Sequence, residues 1–139
     1  MKASLFYRIA SILLFLFAVG HTLGFRQVDP KWKIDSLIQS MQSIHFQADG
    51  NDRTYWDFFV GFGLFVTALM LLASVVTWQL GSLSAETLAG LRMTAWGFVV
   101  CFAFVSYLSW RYFFLIPVIF SLLILLCLTL AAGLSGYPK

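Results

Sequence analysis

Four stretches of this chain, residues 5–25, 55–79, 87–110 and 113–134, run for about twenty residues or more with at most one formally charged side chain each. A helix of ~20 predominantly apolar residues is what a bilayer's hydrocarbon core requires. Helix is also the conformation lipid demands, because it offers no partner to open backbone groups. Strands of a membrane barrel would be shorter and would alternate in polarity. A soluble alternative fails on surface area: with 60% hydrophobic and 11% charged residues in 139, too little of a domain this small is interior to hide the apolar share. The expected fold class is therefore an all-α membrane protein, a left-handed four-transmembrane-helix bundle forming one domain, 1–139, with both termini on one side.

The first run has a rival reading. Lys2 and Arg8 flank a short apolar core, and Ala18-Val19-Gly20 resembles a small-x-small signal-peptidase site. It is read as a helix that stays with the chain. Between the first and second runs lies the sizeable polar segment, residues 26–54. Asp29-Pro30 reads as a helix start, with Asp capping and Pro in the first turn. Ile34, Leu37, Ile38, Met41 and His45 then share one face at helical spacing. The pattern predicts an amphipathic interfacial helix over about 30–46, with "ADGND" turning into the second span.

Within the spans, Gly90, Thr94, Gly97 and Cys101 form a small-residue stripe, expected to be a packing seam. Arg92 is expected to snorkel to the headgroups, and Pro117 lies early enough in its helix to cost little. Counted from the turn at Arg111, Cys101 and Cys127 differ in depth by ~9 Å at 1.5 Å per residue. That separation disfavours a bridge, so both are expected to be buried packing residues. Tyr55, Trp56, Trp78, Trp110 and Tyr112 suit interfacial belts.

The chemistry-bearing residues gather toward the first-loop end of the bundle. "GHTLGF" places His21 at the exit of the first helix, followed by Arg26. Asp57 opens the second helix after Arg53, with Gly61 one turn on, and Tyr107, Trp110 and Tyr112 close the third. With His45 from the loop, these nine residues are the candidate ligand-binding set. Asp57 and His21 are the candidates for acid/base work, since an ionisable group at membrane depth is costly and tends to be functional. The bland reading stands beside this: Asp57 favours a helix N-terminus and can pair with Arg53, while His21 can bond a backbone carbonyl or Asp57. His21, His45 and Asp57 have the makings of a facial metal triad, but their spacing is no recognised ligand pattern. No metal and no cofactor is expected.

The motifs "GHTLGF" (20–25), "RTYWDFFVGFGLF" (53–65) and "SWRYFF" (109–114) resemble those of a family of small bacterial four-helix membrane proteins with no assigned activity. Layout alone is similar to the DoxX-like membrane proteins. "RTYWDFF" also resembles the opening of helix two in the emopamil-binding, sterol-isomerase-like proteins. That pattern calls for buried glutamates, and Glu86 here falls at a loop.

The resemblance implies a multi-pass protein of the bacterial inner membrane. Cations divide almost evenly: Lys2, Arg8, Arg92 and Lys139 on the N-terminal side, Arg26, Lys31, Lys33, Arg53 and Arg111 opposite. Asp29, Asp35, Asp49, Asp52 and Asp57 offset the first-loop cations, which tips the N-terminus toward the cytoplasm. Net charge of +3 comes from scattered residues with no basic run, so no nucleic-acid partner is expected. The expected partners are the lipid bilayer, a small lipophilic ligand, and a second copy or another membrane protein. The leading functional reading is binding of a lipophilic molecule or lipid in a polar-rimmed pocket, its body against Phe58, Phe62, Phe65, Phe113 and Phe114. The alternatives are an enzyme acting on such a ligand and a non-catalytic accessory subunit. Transport is disfavoured, because four helices leave little room for a gated path.

Overall fold

The computed structural model describes residues 3–135. In chain order the elements are α1 (Ala3–Gly24), a 3₁₀ turn (Pro30–Trp32), α2 (Asp35–Ser43), β1 (His45–Ala48), β2 (Asn51–Thr54), α3 (Tyr55–Leu80), α4 (Ala85–Gly90), α5 (Arg92–Tyr112) and α6 (Leu115–Ser135). Of these α1, α3, α5 and α6 are long and apolar enough to cross a membrane, so the chain is an integral, multi-pass membrane protein. Lys2 and Lys139, counted above for orientation, lie outside the described residues.

The chain divides into two compact units, one formed by residues up to Phe17 and from Met70 onward, the other by Ala18–Leu69. In the first, four helices pack through faces spaced by three and four residues. α1 contributes Tyr7, Ala10, Ser11, Leu14 and Phe17; α5 contributes Ala95, Val99, Phe102, Ser106 and Ser109; α6 contributes Ser121, Ile124, Leu128, Ala131 and Ala132. α3 adds Ser74, Thr77 and Leu80. Most of these side chains are small, because apolar burial gives helices no drive to associate in lipid. Close backbone approach and interhelical hydrogen bonds supply it instead. The clearest case joins α1 to α3, where Ser11 Oγ donates to Ser74 O at 2.8 Å and Ser74 Oγ returns a bond to Ser11 O at 2.9 Å. About two turns later Gly81 lets the chain pass close to the start of α1, where a Cβ would stand 3.2 Å from Ser4 O. Phe17 stacks on Phe120 at 5.3 Å.

This packing corrects three expectations. The stripe Gly90, Thr94, Gly97 and Cys101 faces outward, and the seam of α5 runs through Ala95, Val99, Phe102, Ser106 and Ser109. Small size marked the wrong stripe, since Val99 and Phe102 fill the seam beside alanine and serine. Cys101 is accordingly exposed and Cys127 half-buried, both as free thiols. The third span is also interrupted. α4 stops at Gly90, and Leu91 (φ −97°, ψ 19°) donates its N–H to both Thr87 O and Leu88 O before α5 begins at Arg92. Pro117 occupies the first turn of α6, where no helical bond is lost.

The first-loop segment is the largest departure. The helix expected over 30–46 resolves into three pieces. Asp29 does cap, accepting from Lys31 N at 2.9 Å with Pro30 next, but the turn so started is 3₁₀ and ends at Lys33 in the left-handed region (φ 52°). α2 follows for nine residues and gives way at Ile44 to extended backbone. The rest is a β-hairpin in which His45, Phe46, Gln47 and Ala48 pair with Thr54, Arg53, Asp52 and Asn51. Its two-residue turn, Asp49-Gly50, has both φ values positive (51° and 79°), the conformation whose twist matches the flanking strands. His45 therefore lies in a strand opposite Thr54 and not on a helical face.

Candidate functional site

The hairpin hands directly over to α3, with Thr54 ending β2 and Tyr55 beginning the helix. A reciprocal cap makes the junction. Thr54 Oγ1 accepts from Asp57 N at 3.2 Å, and Asp57 Oδ2 accepts from Thr54 N at 2.8 Å and from Thr54 Oγ1 at 3.0 Å. This is a capping box with Asp in the position Glu commonly fills. The sequence carries its signature, Thr-x-x-Asp before an apolar run, and the charge-based reading of Asp57 passed over it. The Arg53–Asp57 pair of the bland reading does not form: among the described residues the ion pair within 4.0 Å is His45–Asp52 at 2.8 Å. Arg53 Nη1 instead donates to Asp52 O at 2.7 Å.

Two aromatic series brace this end of α3. On one side Phe46 of β1 packs against Tyr55 (5.1 Å) and stacks on Phe58 (5.8 Å), which is followed by Phe62. On the other, Trp56 meets Phe59, Phe59 meets Phe25, and Phe25 stacks on His21 at 5.1 Å. The Phe25 ring lies against Gly63 so closely that a Cβ there would overlap it. "GHTLGF" and "VGFG" are thus two halves of one contact. Polar bonds run beside it. Thr22 Oγ1 donates to Ala18 O at 2.7 Å, Thr67 Oγ1 donates to Gly63 O at 3.2 Å, and the two hydroxyl oxygens stand 2.9 Å apart. The Thr67 oxygen then faces His21 Nδ1 at 3.5 Å. His21 is half-buried in this cluster, bonded neither to a carbonyl nor to Asp57.

Between Tyr55 and Leu69 no residue of α3 is buried. Its outer face carries a groove of about 250 Å³ lined by Arg53, Asp57, Phe58, Gly61, Phe62 and Phe65. The charged pair forms the upper lining and the three phenylalanines the wall, with Gly61 leaving open space between. Asp57 brings one oxygen, Oδ2, to the cap and leaves Oδ1 without a partner among the described residues. A larger cleft of about 470 Å³ at the other end of α3, lined among others by Trp78, Gln79, Leu83 and Thr94, holds no ionisable side chain.

Of the nine sequence candidates, Arg53, Asp57 and Gly61 share this groove. His21 lies across α3 with Thr67 and Phe25. His45 bonds Asp52 on the hairpin, and Arg26 covers the Phe25 ring at 5.4 Å. Tyr107, Trp110 and Tyr112 belong to the other unit, with Tyr107 against Trp110 at 6.3 Å and Arg111 over Tyr112 at 5.4 Å. His21, His45 and Asp57 each hold a different partner, and no group of three His, Cys, Asp or Glu among the described residues is arranged to hold a metal ion. Comparison with protein-family models, curated proteins and solved structures gives no match for this chain.

Proposed function

We propose that this membrane protein binds a small lipophilic molecule or a lipid in the groove on the outer face of α3. The observation that carries the reading is one groove lined by both a guanidinium and a carboxylate together with three phenylalanines. Ligand sites of this kind are mostly apolar, with a few placed polar groups that fix orientation. The wall contacts the ligand's body while Arg53 and Asp57 hold its polar end. An acid/base reaction shared between Asp57 and His21 has less support, because Asp57 lines the groove while His21 packs beside Thr67 on another side of α3. The four first-loop aspartates together with Asp57 favour an orientation in which the groove's charged end faces away from the cytoplasm of a bacterial inner membrane.

The test fills the groove. A Cβ on Gly61 meets nothing within 4 Å, so Gly61→Leu occupies the space without disturbing the packing. Lipophiles retained through gentle detergent extraction would be identified by mass spectrometry for wild type and variant. Loss of a stoichiometric species in Gly61→Leu is expected; identical retention in both proteins overturns the reading. A second reading, an accessory subunit of a membrane complex, is favoured by the outward stripe of Gly90, Thr94, Gly97 and Cys101.

A further inference from the structure

We propose that the Arg53–Asp57 groove selects phospholipids whose headgroup carries both a phosphate and a primary ammonium, the ethanolamine class. The inference rests on the reading that the groove holds a lipid's polar end. Two opposite charges line one groove without a direct ion pair between them, since no contact within 4.0 Å joins them. Each keeps unspent hydrogen-bonding capacity. Arg53 donates one bond, to Asp52 O, out of the five N–H groups a guanidinium carries. Among the described residues Asp57 accepts at Oδ2 alone, leaving Oδ1 to receive a cationic donor.

The complement of such a rim is a dipolar headgroup. A phosphate matches the guanidinium in charge and geometry. A primary ammonium gives the carboxylate both charge and an N–H donor. A choline headgroup carries the charge, but its methyl groups leave no donor. A glycerol headgroup offers hydroxyl donors without a cation and brings its phosphate's negative charge to a site that already holds a carboxylate. The groove, at about 250 Å³, takes a headgroup and the upper part of a chain. The exposed rings of Phe62 and Phe65 continue the wall along α3, where acyl chains run.

The full chain would be reconstituted in vesicles of equal parts phosphatidylethanolamine, phosphatidylcholine and phosphatidylglycerol and extracted gently. Retained lipid would then be counted by native mass spectrometry. Wild type is expected to keep the ethanolamine lipid over each of the others by roughly fivefold. Asp57→Asn keeps an oxygen to accept from Thr54 N and removes the charge, so it should bring ethanolamine and choline lipids to parity. Arg53→Gln should lower retention of all three. Equal retention by wild type, or preference for phosphatidylglycerol, while Gly61→Leu still strips lipid, overturns the headgroup inference and leaves the groove standing. Retention that Gly61→Leu does not change overturns both. The wild-type comparison decides the inference even if a variant fails to fold.

Discussion

Gly61 and Gly63 are two residues apart on one helix and face opposite demands. At Gly63 the ring of Phe25 occupies the place a side chain would take; at Gly61 there is open space. The same substitution should therefore have two outcomes. Gly63→Leu forces Phe25 from its stacks on His21 and Phe59 and should cost about 1–3 kcal/mol, as overpacking does. Gly61→Leu should stay within about 0.5 kcal/mol of wild type, as surface changes do. Reversible unfolding of the two variants in mixed micelles measures the contrast, and equal losses would count against the Phe25–Gly63 contact. Asp57 teaches a related lesson at this scale. Its first duty is to α3, whose start it caps together with Thr54, so only its second oxygen is free for a ligand. A replacement that removes both oxygens confounds fold with function, and Asn is the informative one.

Between elements, the paired serines of α1 and α3 show how these helices hold together. Ser11→Ala and Ser74→Ala should each cost about 0.6 kcal/mol and at most ~1.7 kcal/mol, the range of interhelical hydrogen bonds in membranes. The double variant should cost less than the sum of the singles, because each hydroxyl also contacts the other at 3.2 Å. A strictly additive double-mutant cycle would mean the two hydroxyls act independently. The four spans were legible in the sequence because length and apolarity alone decide them, and their ends differ little from those observed except at the third, where α5 begins only at Arg92. Which face of α5 packs was not legible. Residue size pointed to Gly97, while the seam one to two positions away uses Val99 and Phe102 as well. The hairpin was missed for a different reason. Ile34, Leu37, Ile38 and Met41 carry a helical period whose spacing runs on to His45, whereas Asp49-Gly50 is a strong local turn signal between strands too short and polar to alternate visibly. Of the candidate site, Arg53, Asp57 and Gly61 are close in sequence and line one groove. The partner of His21 was not legible, because its azimuth around α1, and hence its contact with Thr67, is set by packing that spacing does not encode.

For the molecule as a whole, four spans put the first loop and the C-terminus on opposite faces of the membrane. A compartment-sensitive reporter inserted at the Asp49-Gly50 turn and another after α6 should therefore give opposite signals, with the second cytoplasmic in the proposed orientation. Matching signals would require an even number of crossings between them, where four spans place three, and would overturn the four-span topology. The spans are not equal: α3 has 26 residues, against 21 in α5 and in α6. At 1.5 Å per residue the excess is about 7.5 Å, more than a turn of helix to be accommodated by tilt or by emergence from the hydrocarbon. Arg53 and Asp57 stand at the end of α3 where that excess can show. Membrane thickness then acts as a gauge on the groove: a thin bilayer leaves the charged lining in water, and a thick one draws it down among the headgroups, where a lipid can reach it.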